Sequence, residues 1–235
     1  MDAVLLRMQQ LLDLETSPIF AIKIMKIKFI LLFLMTISGL SVASTQDGAK
    51  LKDHLKMTQL CSRDACAPVL VFDAHVYQPS PDEFKAKIKD IPAGTTILIS
   101  GYGKDVTSGI RLGEIIRAKQ FKTVVGRLGD QNLDRTGYFK RPGVCLSACA
   151  LAFMGGTTRE FGADDQFGVT AIVPNRTDLT EKELQLAFAN TEKYLTTVNV
   201  KPTFFNFLKG LKDTKIHMID VKSATAYGII NTASK

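Results

Sequence analysis

The sequence predicts a single α/β domain in which a mainly parallel sheet is covered by helices. Between residues 68 and 230, short apolar segments rich in β-branched residues alternate with segments of helical periodicity. The chain has 235 residues, of which 46% are hydrophobic and 23% are charged. This length suits one sizeable domain, and this composition argues against a disordered chain, a collagen or a coiled coil.

The first half of the alternating region contains three predicted strands and two predicted helices. Two of the strands are short continuous apolar runs, which is typical of strands buried on both faces. In the first helix, Phe84, Ile88 and Ile91 share one face. A segment rich in Gly, Asp and Arg, residues 127–143, is predicted as a long loop. In chain order the elements are a strand at 68–77, a helix from Pro81, a strand at 95–100, a helix at 108–119 and a strand at 122–126.

The second half begins with a segment that is apolar on all sides and ends in two glycines, residues 146–156. Such a segment predicts a buried helix. A later amphipathic helix is predicted to start at a cap formed by Thr177 or Asp178 and to end near Val198, because Glu181 follows Asp178 at capping-box spacing. The remaining elements are strands at 158–162 and 166–173, a helix at 201–211, a strand at 215–219 and a final helix and turn at 221–230.

An export signal precedes the domain. The segment that begins at Met25 has two lysines, an apolar run over 29–37, and small residues at cleavage spacing up to Ala43. We predict a signal peptide over 25–43 and a mature protein in the periplasm or outside the cell. A permanent membrane anchor is less favoured, because the apolar run is shorter than the roughly 18 residues that span a bilayer. Residues 1–24 are predicted to be an upstream extension with no role in the fold.

The mature chain divides into an arm and a domain. Residues 44–67 are polar and predict an N-terminal arm, followed by a domain over 68–235. The net charge is +7, but the basic residues are scattered and no nucleic-acid-binding motif accompanies them. We therefore predict no nucleic-acid partner.

The mature chain carries four cysteines, Cys61, Cys66, Cys145 and Cys149. An even number in an exported protein predicts disulfides, and we favour the two local pairs over the other two pairings. The pair Cys145–Cys149 requires Cys145 to precede a helix, because a disulfide tolerates only a limited Cα separation. A zinc site is less favoured, because zinc motifs prefer C-x₂-C spacing and no further ligands are apparent. We predict no metal and no cofactor.

Four motifs together resemble the Clp protease/crotonase superfamily, in particular its small exported members. They are "ILISGYGKDVTSGIRLGEII", "CLSACALAFMGG", "DQFGVTAIVP" and "ATAYGII". The resemblance covers roughly residues 70–230 and implies a ClpP/crotonase-like domain built of β-β-α and βαβ units. It places Ser147 where the family has its nucleophile and Thr170 where the family has its catalytic histidine. It also implies a possible homo-oligomer, in which "TFFNF" is either a packed helix face or a subunit contact.

The chemistry of these positions can be stated from the residues. A serine at the first turn of a helix lies near unpaired backbone N–H groups, which favour developing negative charge. If the glycine loop over 101–103 lies alongside, the N–H groups of Gly103 and Ala148 are the two oxyanion donors. A simple helix N-cap is an equally plausible role for Ser147. Tyr102 stands where the family usually has glycine, and we expect its side chain to crowd the substrate groove beside Ser147.

No base is apparent for Ser147, because the threonine at position 170 cannot accept its proton at neutral pH. His217, with Asp213 as the nearest acid, is a minority alternative as base. Neither of the other histidines has a motif around it, and two loop lysines are conceivable bases that no spacing selects. These weaker alternatives are His54, His75, Lys104 and Lys140.

Two functions follow from these residues. The favoured one is a weak or non-hydrolytic member that binds a peptide or small acyl ligand or acts by assembly. The alternative is an active serine hydrolase or peptidase with Ser147 as nucleophile and an atypical base. Export disfavours an acyl-CoA enzyme, because it separates the protein from the CoA pool. It also disfavours an ATP-driven unfoldase partner, because the periplasm lacks ATP.

Overall fold

A computed structural model describes residues 55–73, 80–103, 105–132, 137–172, 179–213 and 215–232. The predicted extension, the predicted signal peptide and residues 44–54 lie outside the described residues. The described residues form ten strands and six helices, numbered here in chain order. None of these helices is both long and apolar enough to cross a bilayer.

The strands and helices of the described residues have the following bounds. The strands are β1 (Leu55–Cys61), β2 (Cys66–Asp73), β3 (Thr96–Gly103), β4 (Lys122–Val125), β5 (Arg127–Asn132), β6 (Gly137–Arg141), β7 (Val144–Ser147), β8 (Arg159–Glu160), β9 (Gln166–Val169) and β10 (His217–Met218). The helices are α1 (Ser80–Lys87), α2 (Val106–Ala118), α3 (Ala148–Met154), α4 (Glu181–Thr197), α5 (Pro202–Gly210) and α6 (Val221–Tyr227).

The strands form one mixed sheet in the order β10-β9-β7-β3-β2-β1-β6-β5, and β4 pairs with both β3 and β8. Six of the nine strand pairings in the described residues are parallel and three are antiparallel. Parallel neighbours need a crossover, and α1 and α2 supply it between β2, β3 and β4. The predicted α/β class with a mainly parallel sheet is therefore confirmed.

The described part of the predicted arm belongs to the sheet. β1 pairs with β2 along its whole length, from Leu55 opposite Phe72 to Cys61 opposite Cys66, and the two cysteines form a disulfide. Both ends of β1 are buried, and together with this local pairing they make it a strand of the sheet, although the predicted arm as a whole is polar. Residues 55–67 are thus part of the domain and not an arm.

The segment predicted as a long loop, residues 127–143, contains the antiparallel ribbon β5–β6. Its residues are largely polar and form a two-stranded extension, with a register shift between Leu128 and Gln131. β6 joins the sheet by pairing with β1 in parallel. The ribbon lacks the alternation of apolar residues that marks a half-buried strand, which is why the sequence pattern missed it.

Helix α3 lies at the centre of the core. All seven of its residues are buried, which confirms the buried helix predicted from its uniformly apolar sequence. The ring of Phe153 lies 5.2 Å from that of Phe167 and 6.2 Å from that of Phe161, so the helix packs on the aromatic face of the neighbouring strands. The residue that precedes α3, Ser147, is consequently held by a rigid element.

Helix α2 packs against α3 through two glycines. A Cβ atom on Gly109 would lie 2.5 Å from the carbonyl oxygen of Ala148, and one on Gly113 would lie 1.8 Å from the hydroxyl of Tyr194. That hydroxyl donates a 2.6 Å hydrogen bond to the carbonyl of Leu151. Burial raises the pKa of Tyr194 far above its ordinary value, so the phenol remains a neutral donor.

We expect Gly113→Ala to destabilise the fold by about 2 to 3 kcal/mol, because the new methyl group displaces Tyr194 from its hydrogen bond. Urea unfolding measures this loss. Gly210→Ala is the matched control, because a Cβ there meets nothing within 4 Å, and we expect a change within about 0.5 kcal/mol. Equal stability of the two variants would show that Tyr194 is not tightly packed against α2.

A buried arginine joins the ends of three helices. Arg159 in β8 is 1% exposed and donates to backbone carbonyls at the ends of α3, α4 and α6. Its five acceptors are the carbonyls of Met154, Gly156, Val198, Gly228 and Ile229. Helix C-termini carry partial negative charge, so these carbonyls take the place of a carboxylate partner. Burial, together with Arg117, lowers the pKa of Arg159 to about 10, and the side chain stays charged at neutral pH.

Candidate functional site

Ser147 forms a sharp turn between a strand and a helix. It is the last residue of β7, and α3 starts at the next residue. Its φ is 58° and its ψ is −114°, which is close to the first central position of a type II′ turn, where glycine is preferred. A residue with a side chain in such a conformation costs about 1 to 3 kcal/mol, and such strain concentrates at functional sites. We call this turn the serine elbow.

The side chain of Ser147 does not cap helix α3. Ser147 occupies the N-cap position, but it makes no capping hydrogen bond. Its hydroxyl instead lies 2.9 Å from the hydroxyl of Thr170, at hydrogen-bonding distance. The capping role considered for this serine is therefore wrong.

The partner of Ser147 comes from the neighbouring strand. Thr170 follows the last residue of β9, which runs parallel to β7. Ser147 is 4% exposed and Thr170 is half-buried, so the hydroxyl pair is partly shielded from water. Neither hydroxyl can take the proton of the other at neutral pH, because both are far weaker acids and bases than imidazole. In the part of the chain that the structure describes, no lysine or histidine side chain bonds to the Ser147 hydroxyl.

The predicted oxyanion donors belong to residues next to Ser147. Gly103 is the register partner of Ser147 in the parallel pair β3–β7, and Tyr102 is the partner of Leu146. Ala148 follows Ser147 in the chain and is the first residue of α3, whose first-turn N–H groups have no acceptor within the helix. Residues 101–103, predicted as a glycine loop, form the end of β3 instead, and this end lies alongside the elbow.

Two disulfides join the favoured local cysteine pairs, Cys61–Cys66 and Cys145–Cys149. Cys145 lies in β7, ahead of the helix, and its Cα is 5.1 Å from that of Cys149. These two cysteines stand two residues before and two residues after Ser147. The nucleophile elbow of serine hydrolases, G-x-S-x-G, has glycines at the same two positions. This spacing is the signal in the sequence that could have identified the elbow.

His217 and Asp213 lie together but do not bond to the serine elbow. The Nε2 atom of His217 is 2.9 Å from a carboxylate oxygen of Asp213, and this hydrogen bond holds the pKa of Asp213 below its usual range. The ring of His217 packs edge-on against Phe207 of α5, 6.3 Å away. In the sheet, His217 is opposite the buried Val169. Among the described contacts, the imidazole is thus engaged by α5 and Asp213 and not by Ser147.

Lys140 is also engaged elsewhere. Its ammonium group lies 2.9 and 3.0 Å from the two carboxylate oxygens of Asp165, which also accept hydrogen bonds from the N–H groups of Gly143 and Gly162. This ion pair fixes the loop that leads into β7. The remaining alternatives, His54, His75 and Lys104, lie outside the described residues.

We expect Lys140→Met to destabilise the protein by about 2 kcal/mol, because it leaves the carboxylate of Asp165 buried without its cation. The effect is smaller than for a fully buried pair, since the Lys140 side chain is 34% exposed and that of Asp165 only 1%. Arg141→Met is the control, because the partner of Arg141, Asp130, is exposed and surface pairs contribute less than about 1 kcal/mol. Equal losses of stability for the two variants in urea unfolding would contradict the assignment of Lys140 as the partner of the buried Asp165 carboxylate.

A groove of about 500 Å³ lies between α2 and α4. Its walls include Val106 and Ile110 of α2, Ala187 of α4, and Ile172. Two of its lining residues, Asp105 and Ile172, follow Gly103 and Thr170 by two positions in the chain, but neither Ser147 nor Thr170 lines the groove. Its size and mixed lining are those of a small-ligand site.

Within the described ranges, no group of three or more His, Cys, Asp or Glu side chains is arranged to hold a metal ion. The candidate site consists of two hydroxyls and the backbone around them. Its chemistry is therefore hydrogen bonding to a polar group, such as a carbonyl or carboxylate, at the elbow.

Comparison with known proteins gives a similarity of structure and not of sequence. No protein-family model matches the chain, and no curated protein matches its sequence. Among solved structures, ClpP1 from Listeria monocytogenes aligns with a TM-score of 0.49 and 13% sequence identity, over 67% of this chain and 85% of that chain. The ClpP protease catalytic domain from Plasmodium falciparum aligns with a TM-score of 0.47 and 13% identity, over 68% of this chain and 80% of that chain.

Proposed function

We propose that this protein is a non-hydrolytic ligand-binding member of the Clp protease/crotonase superfamily. In this proposal the serine elbow binds the carbonyl or carboxylate group of a peptide or small acyl ligand and does not cleave it. The four sequence motifs and the alternation of strands and helices support the family. The hydrogen bond between Ser147 and Thr170 supports the absence of hydrolysis, and it is the observation that carries the proposal.

The residues present suit binding better than acyl transfer. A serine nucleophile needs a base that removes its proton as it attacks. The neighbour of Ser147 is a threonine, and a site of this kind without its histidine retains only about 10³- to 10⁴-fold acceleration over water. The hydroxyls of Ser147 and Thr170 can each donate a hydrogen bond to a ligand oxygen, and so can the backbone next to them.

A slow serine hydrolase is the second candidate, and the strained elbow is the observation that favours it. Ser147 lies between a strand and a helix with a φ of 58°. A strained turn of this kind presents the nucleophilic serine in α/β-hydrolases. In that case a base from outside the described residues would have to reach the hydroxyl. Lys104, which directly follows Gly103 in the chain, is the candidate base among these residues.

A peptide-retention experiment tests the proposal. The protein is incubated with a library of short N-acetylated peptides, bound and free fractions are separated by size exclusion, and both are analysed by mass spectrometry. We expect the bound peptides to be intact and their retention to fall in Ser147→Phe, whose ring fills the elbow. Cleavage products that disappear in Ser147→Ala would establish the hydrolase instead. Retention that is unchanged in Ser147→Phe would place binding elsewhere.

We further propose that the protein is exported to the periplasm, or outside the cell, after cleavage near Ala43, and that it forms a homo-oligomer. Two disulfides in a chain with no free cysteine among the described residues support export, because disulfides persist in oxidising compartments. Release of the mature chain starting at Ser44, seen by mass spectrometry of the secreted fraction, tests the cleavage site. Sedimentation of that mature chain tests the oligomer.

A further inference from the structure

We propose that the disulfide between Cys145 and Cys149 is a clamp that holds Ser147 in its backbone conformation with positive φ. The two cysteines are thus positioning residues for the serine elbow. The inference rests on the proposed function only in that Ser147 is the group that meets the ligand. The conformation itself can be measured without any ligand.

Ser147 differs from the other residues with positive φ. Among the described non-glycine residues, Gln120 and Asn199 also have positive φ, 55° and 59°. Both follow a helix C-terminus, where a left-handed residue closes the last turn and is ordinary. Ser147 precedes a helix, and no such hydrogen-bonding role favours its conformation. Another feature of the structure must therefore stabilise the positive φ of Ser147.

The disulfide is placed to hold it. The bridge closes a five-residue loop with Ser147 at the midpoint, and it ties the end of β7 to the first turn of α3. In the G-x-S-x-G elbow, the absence of side chains at the two flanking positions lets strand and helix approach at the turn. Here both positions carry side chains, and a covalent bond fixes their separation instead. The covalent bridge therefore holds strand and helix close together at the turn, which the small size of the glycines allows in the G-x-S-x-G elbow.

The surroundings favour a permanent clamp over a redox switch. Cys145 and Cys149 are both fully buried. β7 is held on both sides by parallel pairing with β3 and β9, and every residue of α3 is buried. A reductant reaches the bridge only after local unfolding, so we expect the elbow to persist in mild reductant.

The test removes each disulfide in turn. NMR of isotopically labelled protein measures the coupling between the amide and Hα protons of Ser147 and the NOE between them, which together report the sign of φ. Cys145→Ala/Cys149→Ala is compared with Cys61→Ala/Cys66→Ala, which removes a bridge of similar span far from the elbow in the sequence. We expect the positive-φ signature in the wild type and in the second variant, and its loss in the first. Its persistence without the Cys145–Cys149 bridge would overturn the proposal.

A second measurement compares glycine with alanine at position 147 and can be read even if the first variant does not fold. Glycine adopts the Ser147 conformation without strain, whereas alanine does not. With the bridge intact, Ser147→Gly should therefore give a Tm at least about 2 °C above that of Ser147→Ala. In Cys145→Ala/Cys149→Ala this difference should disappear, because position 147 can then leave positive φ. Equal Tm values with the bridge intact, or the same difference without it, would overturn the proposal. Neither experiment depends on peptide cleavage, so the clamp and the proposed function can fail separately.

Discussion

Thr170→His should turn this protein into a measurable esterase. The imidazole would be attached next to the Ser147 hydroxyl, on the residue that already lies 2.9 Å from it. General base catalysis contributes about 10²- to 10⁴-fold. We expect the low end, an increase on the order of 10²-fold in the hydrolysis of p-nitrophenyl acetate, because no acidic residue is known to orient the new ring. The added activity should rise with pH through the ordinary pKa of histidine, about 6.5, as the imidazole becomes neutral.

Two controls make this gain interpretable. Thr170→Gln introduces a side chain of comparable length without a base, and it should give no gain. Thr170→His/Ser147→Ala keeps the base and removes the nucleophile, and its rate should return to that of the wild type. A folded Thr170→His variant with no Ser147-dependent gain would mean that the elbow and its donors are not arranged for attack.

Arg159→Met should lower the free energy of unfolding by about 4 kcal/mol or more. The substitution removes the Arg159 donor from five carbonyls at three helix ends, of which that of Gly156 keeps Arg117 as a second donor. Each buried carbonyl that is left unsatisfied costs about 1 to 3 kcal/mol. Arg159→Lys keeps the charge but not the planar fork of donors, so we expect most of the loss to remain. Urea unfolding at neutral pH measures both variants.

Arg111→Met is the matched control for Arg159. Arg111 is exposed and lies 3.6 Å from the exposed Asp82, a surface pair of small energetic value. We expect its removal to change the free energy of unfolding by less than about 1 kcal/mol. A loss at Arg159 as small as that at Arg111 would show that water replaces the guanidinium at the helix ends.

The regular elements of the fold could be predicted because their cause is local. The all-apolar sequence of α3 gives a buried helix, and the β-branched runs of β3 and β4 give buried parallel strands. The start of α4 shows where local patterns become ambiguous. Both Asp178 with Glu181 and Thr180 with Glu183 fit a capping box, and the structure has the second, with both reciprocal hydrogen bonds. The predicted cap, Thr177 or Asp178, was therefore two or three residues too early.

The chemistry of the site depends on features that no periodicity encodes. The sign of φ at Ser147 is a property of one residue, and no apolar periodicity reports it. The contact between Ser147 and Thr170 depends on the parallel pairing of β7 and β9, which are separated in the chain by α3 and β8. The sequence motifs predicted the positions of both residues. Their hydrogen bond could not be predicted, because it depends on the register of the strand pair.

The reactivity of Ser147 toward a fluorophosphonate probe tests the absence of a base most directly. Native protein, its Ser147→Ala variant and an active serine esterase are labelled side by side at neutral pH, and the adduct is located by mass spectrometry. We predict that native protein is labelled no faster than the Ser147→Ala variant, while the esterase is labelled to completion. Rapid stoichiometric labelling of Ser147 would contradict a base-free site and establish an active serine hydrolase.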